Sequence, residues 1–131
     1  IVVRRGAVEL RIVGPQHATR SSSANDAALI VRATQGACTF LLPADAESPV
    51  LLEDRLAPVA VLEVSHHGSA DDDLARLLAR LRPRLAVISV GAHNRYGHPA
   101  PATLATLAAA GVPVRRTDLE GDISLACGAS G

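Results

Sequence analysis

VAVLEV at 59–64, DDLARLLARL at 72–81 and LAVISV at 85–90 decide the fold class. The first and third stretches are near-continuous apolar runs, which are typical of strands covered on both faces. Leucines in the middle stretch recur at helical spacing, so it predicts a helix over Asp72–Leu81. We expect Ser69 to cap this helix and the acidic residues 71–73 to favour its N-terminus through the helix dipole. The three stretches together predict a strand–helix–strand unit, and we expect the helices of the chain to pack on a mixed sheet whose first half is antiparallel.

The elements on either side extend this unit into one α/β domain over 1–131. Upstream, apolar and alternating patterns predict strands at 7–13, 27–33 and 38–42, and a short helix at 48–56. A turn at Gly36 joins the second and third of these strands. Downstream, we expect a helix at 101–110, a strand at 112–116, a turn at 118–121 and a last strand at 123–127. Residues 16–26 are polar and predict a loop, in which we expect His17 to be solvated.

Composition excludes several classes of protein. The 131 residues suit one domain, and a hydrophobic content of 48% argues against a disordered chain. Thirteen basic and thirteen acidic residues cancel, so the bulk charge does not favour a strong grip on nucleic acid. Phe40 and Tyr96 are too few aromatic residues for a base-stacking platform. The chain has no Met and no apolar run of about 18 residues, so we expect a non-spanning piece of a longer protein.

Two cysteines, Cys38 and Cys127, are too far apart in sequence for a zinc-binding pair of closely spaced thiolates. We expect them to be two small buried or edge hydrophobic residues. The alternative is a disulfide that ties two neighbouring strands, which would imply an oxidising compartment.

Polar side chains able to bind metal follow three of the predicted strands. They are Asp45, then His66 and His67, then His93, Asn94, Tyr96 and His98. The carboxyl ends of strands in α/β sheets commonly carry functional sites. Carboxylate and imidazole ligands suit Zn or Mn. Taken singly, each group also has a plain structural explanation: a turn or helix cap for Asp45, a loop into the helix at 65–69, and a turn at 94–99.

In this order, four stretches resemble the C-terminal metallo-β-lactamase-like domain of the ComEC family of competence proteins. They are LLPADAE at 41–47, LEVSHHGS at 62–69, ISVGAHNRYGHP at 88–99 and RTDLEG at 116–121. The ComEC family consists of multi-pass membrane proteins that form the DNA-uptake channel of transformable bacteria. The resemblance implies an αββα sandwich, of which this chain would be mostly the second half.

The resemblance also implies roles for single residues. Asp45 matches an aspartate that bridges two metal ions, although the family usually has glycine where Ala44 stands. His66 or His67 matches a ligand of the second metal, and we expect His66 because it emerges first from the strand. His98, with Asn94 and Tyr96, matches a signature loop expected to contact substrate phosphate or to transfer a proton.

The main His-rich metal motif of the family is absent from this sequence. We therefore expect two or three ligands here, weak or no metal binding, and no hydrolysis by this chain alone. In the complete domain the implied reaction is metal-dependent phosphodiester hydrolysis of the DNA strand that is not taken up. The implied location is extracytoplasmic, next to the transmembrane channel. With one half absent, we expect an exposed apolar face on the strands at 27–33 and 59–64, covered by a homodimer partner or by the missing half.

Two other classes compete with this hypothesis. The first is a degenerate, non-catalytic module of the uptake machinery that binds or scaffolds. The second is a nucleotide-binding or receiver-like domain in which Asp45 is a pocket residue. The absence of Lys and of a glycine-rich phosphate loop argues against the second.

Overall fold

In a computed structural model, the described residues, 1–16 and 23–128, form one seven-stranded mixed sheet with four helices. The strands follow chain order across the sheet. They are β1 (Val2–Arg5), β2 (Val8–Gly14), β3 (Ile30–Gln35), β4 (Cys38–Leu42), β5 (Val61–Glu63), β6 (Leu85–Ile88) and β7 (Val114–Arg116). The helices are α1 (Ser48–Glu53), α2 (Leu74–Leu81), α3 (Pro101–Ala109) and α4 (Thr117–Glu120). The α/β class and the mixed sheet predicted from the sequence are confirmed.

The sheet divides into two regions by strand direction. β1 to β4 pair antiparallel, and β4 to β7 pair parallel. Parallel neighbours need a crossover between them, and α1, α2 and α3 supply the three crossovers. The predicted strand–helix–strand unit is therefore the centre of the parallel region.

The core lies between the parallel strands and the three helices. Leu41, Leu62, Ala86 and Ile88 point from the strands to this side and are buried. The helical spacing of the leucines in α2 places all four of them in the same cluster. The hydrophobic effect of burying these side chains is what holds the helices on the sheet.

The helices α1, α2 and α3 all pack on that side, and within residues 1–16 and 23–128 none of the three covers the opposite face of the parallel strands, which we call the open face. Register places Phe40, Val61 and Val87 there, together with Glu63. Ile123 and Leu125 lie over these residues and help to line a groove of about 200 Å³. An apolar face is therefore present on β4 to β6, whereas we expected it at 27–33 and 59–64. It is partly covered by the chain's own C-terminal segment, and a covering partner stays a prediction.

Several predicted elements differ from the structure in type or in position along the chain. Residues 123–127 form no strand, because they cross the open face and pair with no neighbour within the described residues. The predicted turn at 118–121 is largely the helical turn α4. The strand predicted at 27–33 is shifted to Ile30–Gln35, and β1 was not predicted. The predicted loop at 16–26, with His17, falls largely in 17–22, outside the described residues.

The start of α2 also differs from the prediction. The helix begins at Leu74, and its N-cap residue Asp73 makes no side-chain capping bond. The Ser69 hydroxyl donates to Glu47 instead of capping α2. Asp71 accepts hydrogen bonds from the backbone N–H groups of Ser48 and Asp73, so it ties the start of α1 to the approach to α2.

Cys38 and Cys127 form a disulfide, with their Cα atoms 5.7 Å apart. The preferred interpretation of two separate hydrophobic residues was wrong, and the alternative was right that the two cysteines are bonded. The bond does not join two strands, however, because Cys127 lies in the irregular segment after α4. It pins that segment to the beginning of β4.

None of the helices in residues 1–16 and 23–128 has both the length and the apolar composition that a membrane span requires.

Candidate functional site

The sequence-predicted site residues meet at the carboxyl edge of the parallel strands. Asp45 follows β4, His66 and His67 follow β5, and the loop at 91–99 follows β6. Parallel strands end at the same edge, so the three segments are brought together by topology.

Backbone strain concentrates at this edge. Ala44, His66 and His67 have left-handed φ angles of 52°, 49° and 55°. Residues other than glycine adopt this region at a cost of about 1–2 kcal/mol each. The His66 N–H donates to the Ala44 carbonyl at 3.0 Å, which joins the two strained segments. Such strain is typical of functional sites, where surrounding contacts impose it.

His67 faces Asp45. The Nδ1 atom of His67 lies 2.8 Å from the Ser89 carbonyl oxygen, and its Nε2 atom lies 3.8 Å from Asp45 Oδ1. A carbonyl oxygen only accepts hydrogen bonds, so Nδ1 carries the proton, and in a neutral ring Nε2 has the lone pair. Two electron-pair donors therefore face one another across a gap, which favours a proton or a cation between them.

His66 has a different partner. Its Nδ1 atom lies 3.0 Å from Glu47 Oε1, and the Ser69 hydroxyl donates to the same oxygen at 2.5 Å. The expectation that His66, rather than His67, is the metal ligand stays a prediction. The geometry favours His67, because its Nε2 is the nitrogen that faces Asp45.

Asn94 organises the loop after β6. Its Nδ2 atom donates to the carbonyls of Gly91 and His98, at 3.0 and 2.7 Å. Its Oδ1 atom accepts the N–H groups of Tyr96 and His98, at 3.2 and 2.9 Å. The side chain thus satisfies four backbone contacts of the loop and shapes the turn that carries Tyr96 and His98.

Tyr96 and His98 stand at the outer side of the site. Their rings stack with centroids 5.9 Å apart, and Tyr96 is 83% exposed. The His98 ring meets the His66 ring edge-on at 5.8 Å. A proton-transfer or phosphate-contact role for His98, Asn94 and Tyr96 stays a prediction. The structure places His98 beside His66, Tyr96 against His98, and Asn94 on the backbone of the same loop.

Close packing locks the two histidine-bearing loops together. Gly68 has a φ of +80°, and a Cβ atom built there would lie 2.8 Å from Pro99 Cβ. The Gly68 carbonyl accepts the Ala100 N–H at 2.8 Å, and the Ser69 carbonyl accepts the Thr103 hydroxyl at 2.5 Å. The glycine of the HHGS stretch is therefore required by contact with the GHP stretch.

The RTDLEG stretch also reaches this edge. The Thr117 hydroxyl accepts the Val90 N–H and donates to the Val90 carbonyl, both at 2.8 Å. Arg116 pairs with Asp118 at 2.6 Å, and this guanidinium holds the pKa of the Asp118 carboxyl below its usual range. α4 is thereby anchored where β6 ends.

Glu63 was given no role in the sequence analysis. It lies on the open face of β5, and burial raises the pKa of its carboxyl. The nearby Asp45 carboxylate adds to this rise in pKa, whereas His67 opposes it. A charged residue in the apolar stretch 59–64 was the signal that could have indicated it. Glu47 was also missed as a partner of His66, although it stands in the quoted 41–47 stretch.

The side chains at this edge meet only part of what a metal ion requires. Zinc bonds to nitrogen and oxygen of about 2.0–2.2 Å would span the gap between His67 Nε2 and Asp45 Oδ1. Among residues 1–16 and 23–128, however, no group of three or more His, Cys, Asp and Glu side chains is arranged to hold a metal. These residues thus offer two donors of suitable chemistry, and a catalytic zinc site usually needs three protein ligands.

Comparison with known proteins identifies homologues of the chain. It is 30% identical over 131 residues to ComE operon protein 3 of Bacillus subtilis (strain 168), an alignment covering 92% of the chain and 17% of that protein. It is 37% identical over 71 residues to Competence protein ComA of Neisseria gonorrhoeae, covering 54% of the chain and 10% of that protein. It is 27% identical over 93 residues to Recombination protein 2 of Haemophilus influenzae, covering 70% and 12%.

The chain thus spans less than a fifth of the length of the curated relatives it matches. No protein-family model matches it. The metallo-β-lactamase-like domain inferred from the sequence stays an expectation. The homologues confirm the resemblance in its broader form: the chain is similar to a segment of competence proteins of the ComEC family.

Proposed function

We propose that this chain is part of a competence protein of the DNA-uptake machinery. In that protein, the carboxyl edge of the parallel strands, which carries Asp45, contributes to a metal-dependent phosphodiesterase site. The observation that carries the proposal is the lone-pair nitrogen of His67 facing the Asp45 carboxylate across 3.8 Å. Zn or Mn bound there would lower the pKa of a water and offset charge on a phosphate. The remaining ligands would come from residues outside these 131.

The substrate proposed is the DNA strand that is not transported. A net charge of zero supports weak intrinsic affinity, so the strand would be delivered by the transmembrane channel of the longer protein. The open face of β4 to β6 would dock the other half of the domain or a second copy of the chain. The Cys38–Cys127 disulfide supports an extracytoplasmic location, because such bonds persist in oxidising compartments.

Manganese titration followed by nuclear magnetic resonance tests the metal-binding part, because paramagnetic broadening reports even weak binding. We expect the amide signals nearest Asp45 and His67 to broaden first, and Asp45→Ala to remove this effect. Asp72→Ala, in the exposed acidic run before α2, is the matched control and should change nothing at Asp45. Broadening centred on residues 71–73, or spread over all carboxylates, would contradict the proposal.

One observation favours a second candidate, a non-catalytic scaffold module: the described residues hold no group of three metal-binding side chains. A scaffold predicts no localised broadening at Asp45. It also predicts that Asp45→Ala, introduced into a longer competence protein carrying this segment, leaves transformation unchanged. The nuclease hypothesis predicts that the same substitution abolishes strand degradation.

A further inference from the structure

Glu47 holds two side chains of the segment between β5 and α2. Its Oε1 atom lies 2.5 Å from the Ser69 hydroxyl oxygen and 3.0 Å from Nδ1 of His66. Ser69 is buried, and the Glu47 and His66 side chains are about one-third exposed. This shielding from water strengthens both contacts.

The chemistry of these groups fixes where the protons are. A carboxylate group has no hydrogen to donate and can only accept hydrogen bonds. The Ser69 hydroxyl therefore donates a hydrogen bond to Glu47 Oε1. Nδ1 of His66 lies 3.0 Å from the same oxygen, so this nitrogen must carry a proton. A neutral imidazole has one N–H group, so Nε2 of His66 is left with a lone pair.

We infer that Glu47 is a positioning residue that holds the proton of His66 on Nδ1 and presents Nε2 as an acceptor beside His98. The backbone of His66 is fixed by its N–H bond to the Ala44 carbonyl, at 3.0 Å. Glu47 fixes the ring, so Nε2 lies on the side of the ring away from Glu47. The His98 ring stands 5.8 Å from the His66 ring.

A purely local structural role for Glu47 is not supported by its contacts. Glu47 occupies the N-cap position of α1, but its side chain makes no capping hydrogen bond. Its carboxylate is directed to the β5–α2 segment instead. Carboxylates that orient a histidine in this way are common partners of metal-binding and proton-transferring histidines.

The use of Nε2, to accept a proton from substrate or to bind a cation, rests on the proposed function. The tautomer does not, because it is set in the metal-free chain. The two ideas therefore fail separately: manganese broadening tests the site at Asp45, and the tautomer of His66 tests Glu47.

Long-range proton–nitrogen correlation spectra of the chain with ¹⁵N-labelled histidine report the tautomer directly. At about pH 8.5, above the ordinary titration range of histidine, we expect His66 to show the Nδ1–H tautomer. In Glu47→Ala the distribution should move toward that of histidine in an unstructured peptide. Glu53→Ala, an exposed glutamate on the same helix, is the matched control and should leave His66 unchanged.

His67 provides an internal reference for folding. Its Nδ1–H donates to the Ser89 carbonyl, so its signals should stay the same in both variants. An Nε2–H tautomer of His66 in the wild-type chain would overturn the inference without any variant. An unchanged His66 tautomer in a folded Glu47→Ala chain would overturn it as well.

Discussion

The antiparallel and parallel regions of one sheet are stabilised in different ways. In the parallel region, α1, α2 and α3 cover one face, and the strand residues that point to them are buried. In the antiparallel region, β1 is exposed at every position, and β2 is exposed at three of its seven positions and buried only at Gly14. There the side-chain contacts are ion pairs such as Arg4–Glu9 at 2.7 Å, which contribute little at an exposed surface. The candidate site lies at the edge of the well-covered region, where a strained backbone can be held.

Truncating one leucine in each region would show this difference most strongly. Leu62 in β5 is 1% exposed, whereas Leu10 in β2 is 41% exposed. Leu62→Ala removes fully buried methyl groups and should lower the free energy of unfolding by about 2–5 kcal/mol. Leu10→Ala should lower it by about 1 kcal/mol or less. Urea denaturation measures both, and equal losses would mean that the antiparallel region is covered in solution.

The next largest effect concerns the contact between the two histidine-bearing loops. Gly68 and Gly97 both have positive φ, but only Gly68 has a neighbour within 4 Å of an added Cβ. Gly68→Ala should cost about 2–4 kcal/mol through strain and the clash with Pro99, and Gly97→Ala about 1–2 kcal/mol through strain alone. Thermal unfolding of the pair separates the two causes. Indistinguishable losses would show that the loops are not packed together.

The pH dependence of stability tests whether Glu63 is buried on the open face of the parallel region. Its pKa is raised in the folded state, so its contribution to stability is greatest below the unfolded value of about 4.5 and is lost as pH rises through the folded value. Glu63→Gln removes this loss. We expect the variant to be more stable than the wild type at pH 7 and equal to it at pH 4. A stabilisation that is the same at both pH values, or the same effect from exposed Glu53→Gln, would contradict burial as the cause.

The smallest effect is expected at Ala44, a residue other than glycine with a left-handed backbone. Glycine adopts the left-handed φ of 52° freely, and its greater freedom in the unfolded chain offsets part of the gain. Ala44→Gly should therefore raise the free energy of unfolding by about 0.5–1 kcal/mol. Ala92→Gly, at an exposed position without positive φ, should lower it by a similar amount. Chemical denaturation distinguishes the two signs.

Sequence patterns predicted the covered region better than the uncovered one, for a physical reason. The leucine spacing of α2 and the apolar runs around it are imposed by burial, so the pattern and the structure agree. The segment 123–127 is predicted as a strand because Ile123, Leu125 and Cys127 recur at every second position. These side chains are used to cover the open face, and no neighbouring strand pairs with their backbone within the described residues.

The candidate site was predictable in its residue types and location, and less so in its pairings. Strand ends placed Asp45, the two histidines and the 94–98 loop at one edge. The left-handed turn at His66 and His67 decides which of the two histidines faces Asp45. Local sequence preferences do not predict such a turn. The Glu47–His66 contact likewise depends on the angle between the start of α1 and the end of β5.

The disulfide divides the chain mechanically as well as chemically. Cys38 and Cys127 enclose the whole parallel region in a covalent ring, with β1, β2 and β3 outside it. Tension applied to the chain on either side of the two cysteines would pass through the S–S bond and bypass residues 39–126. Under such a load β1, β2 and β3 would be peeled from the sheet, while the covalent path of the force would not run through the edge that carries Asp45 and His67.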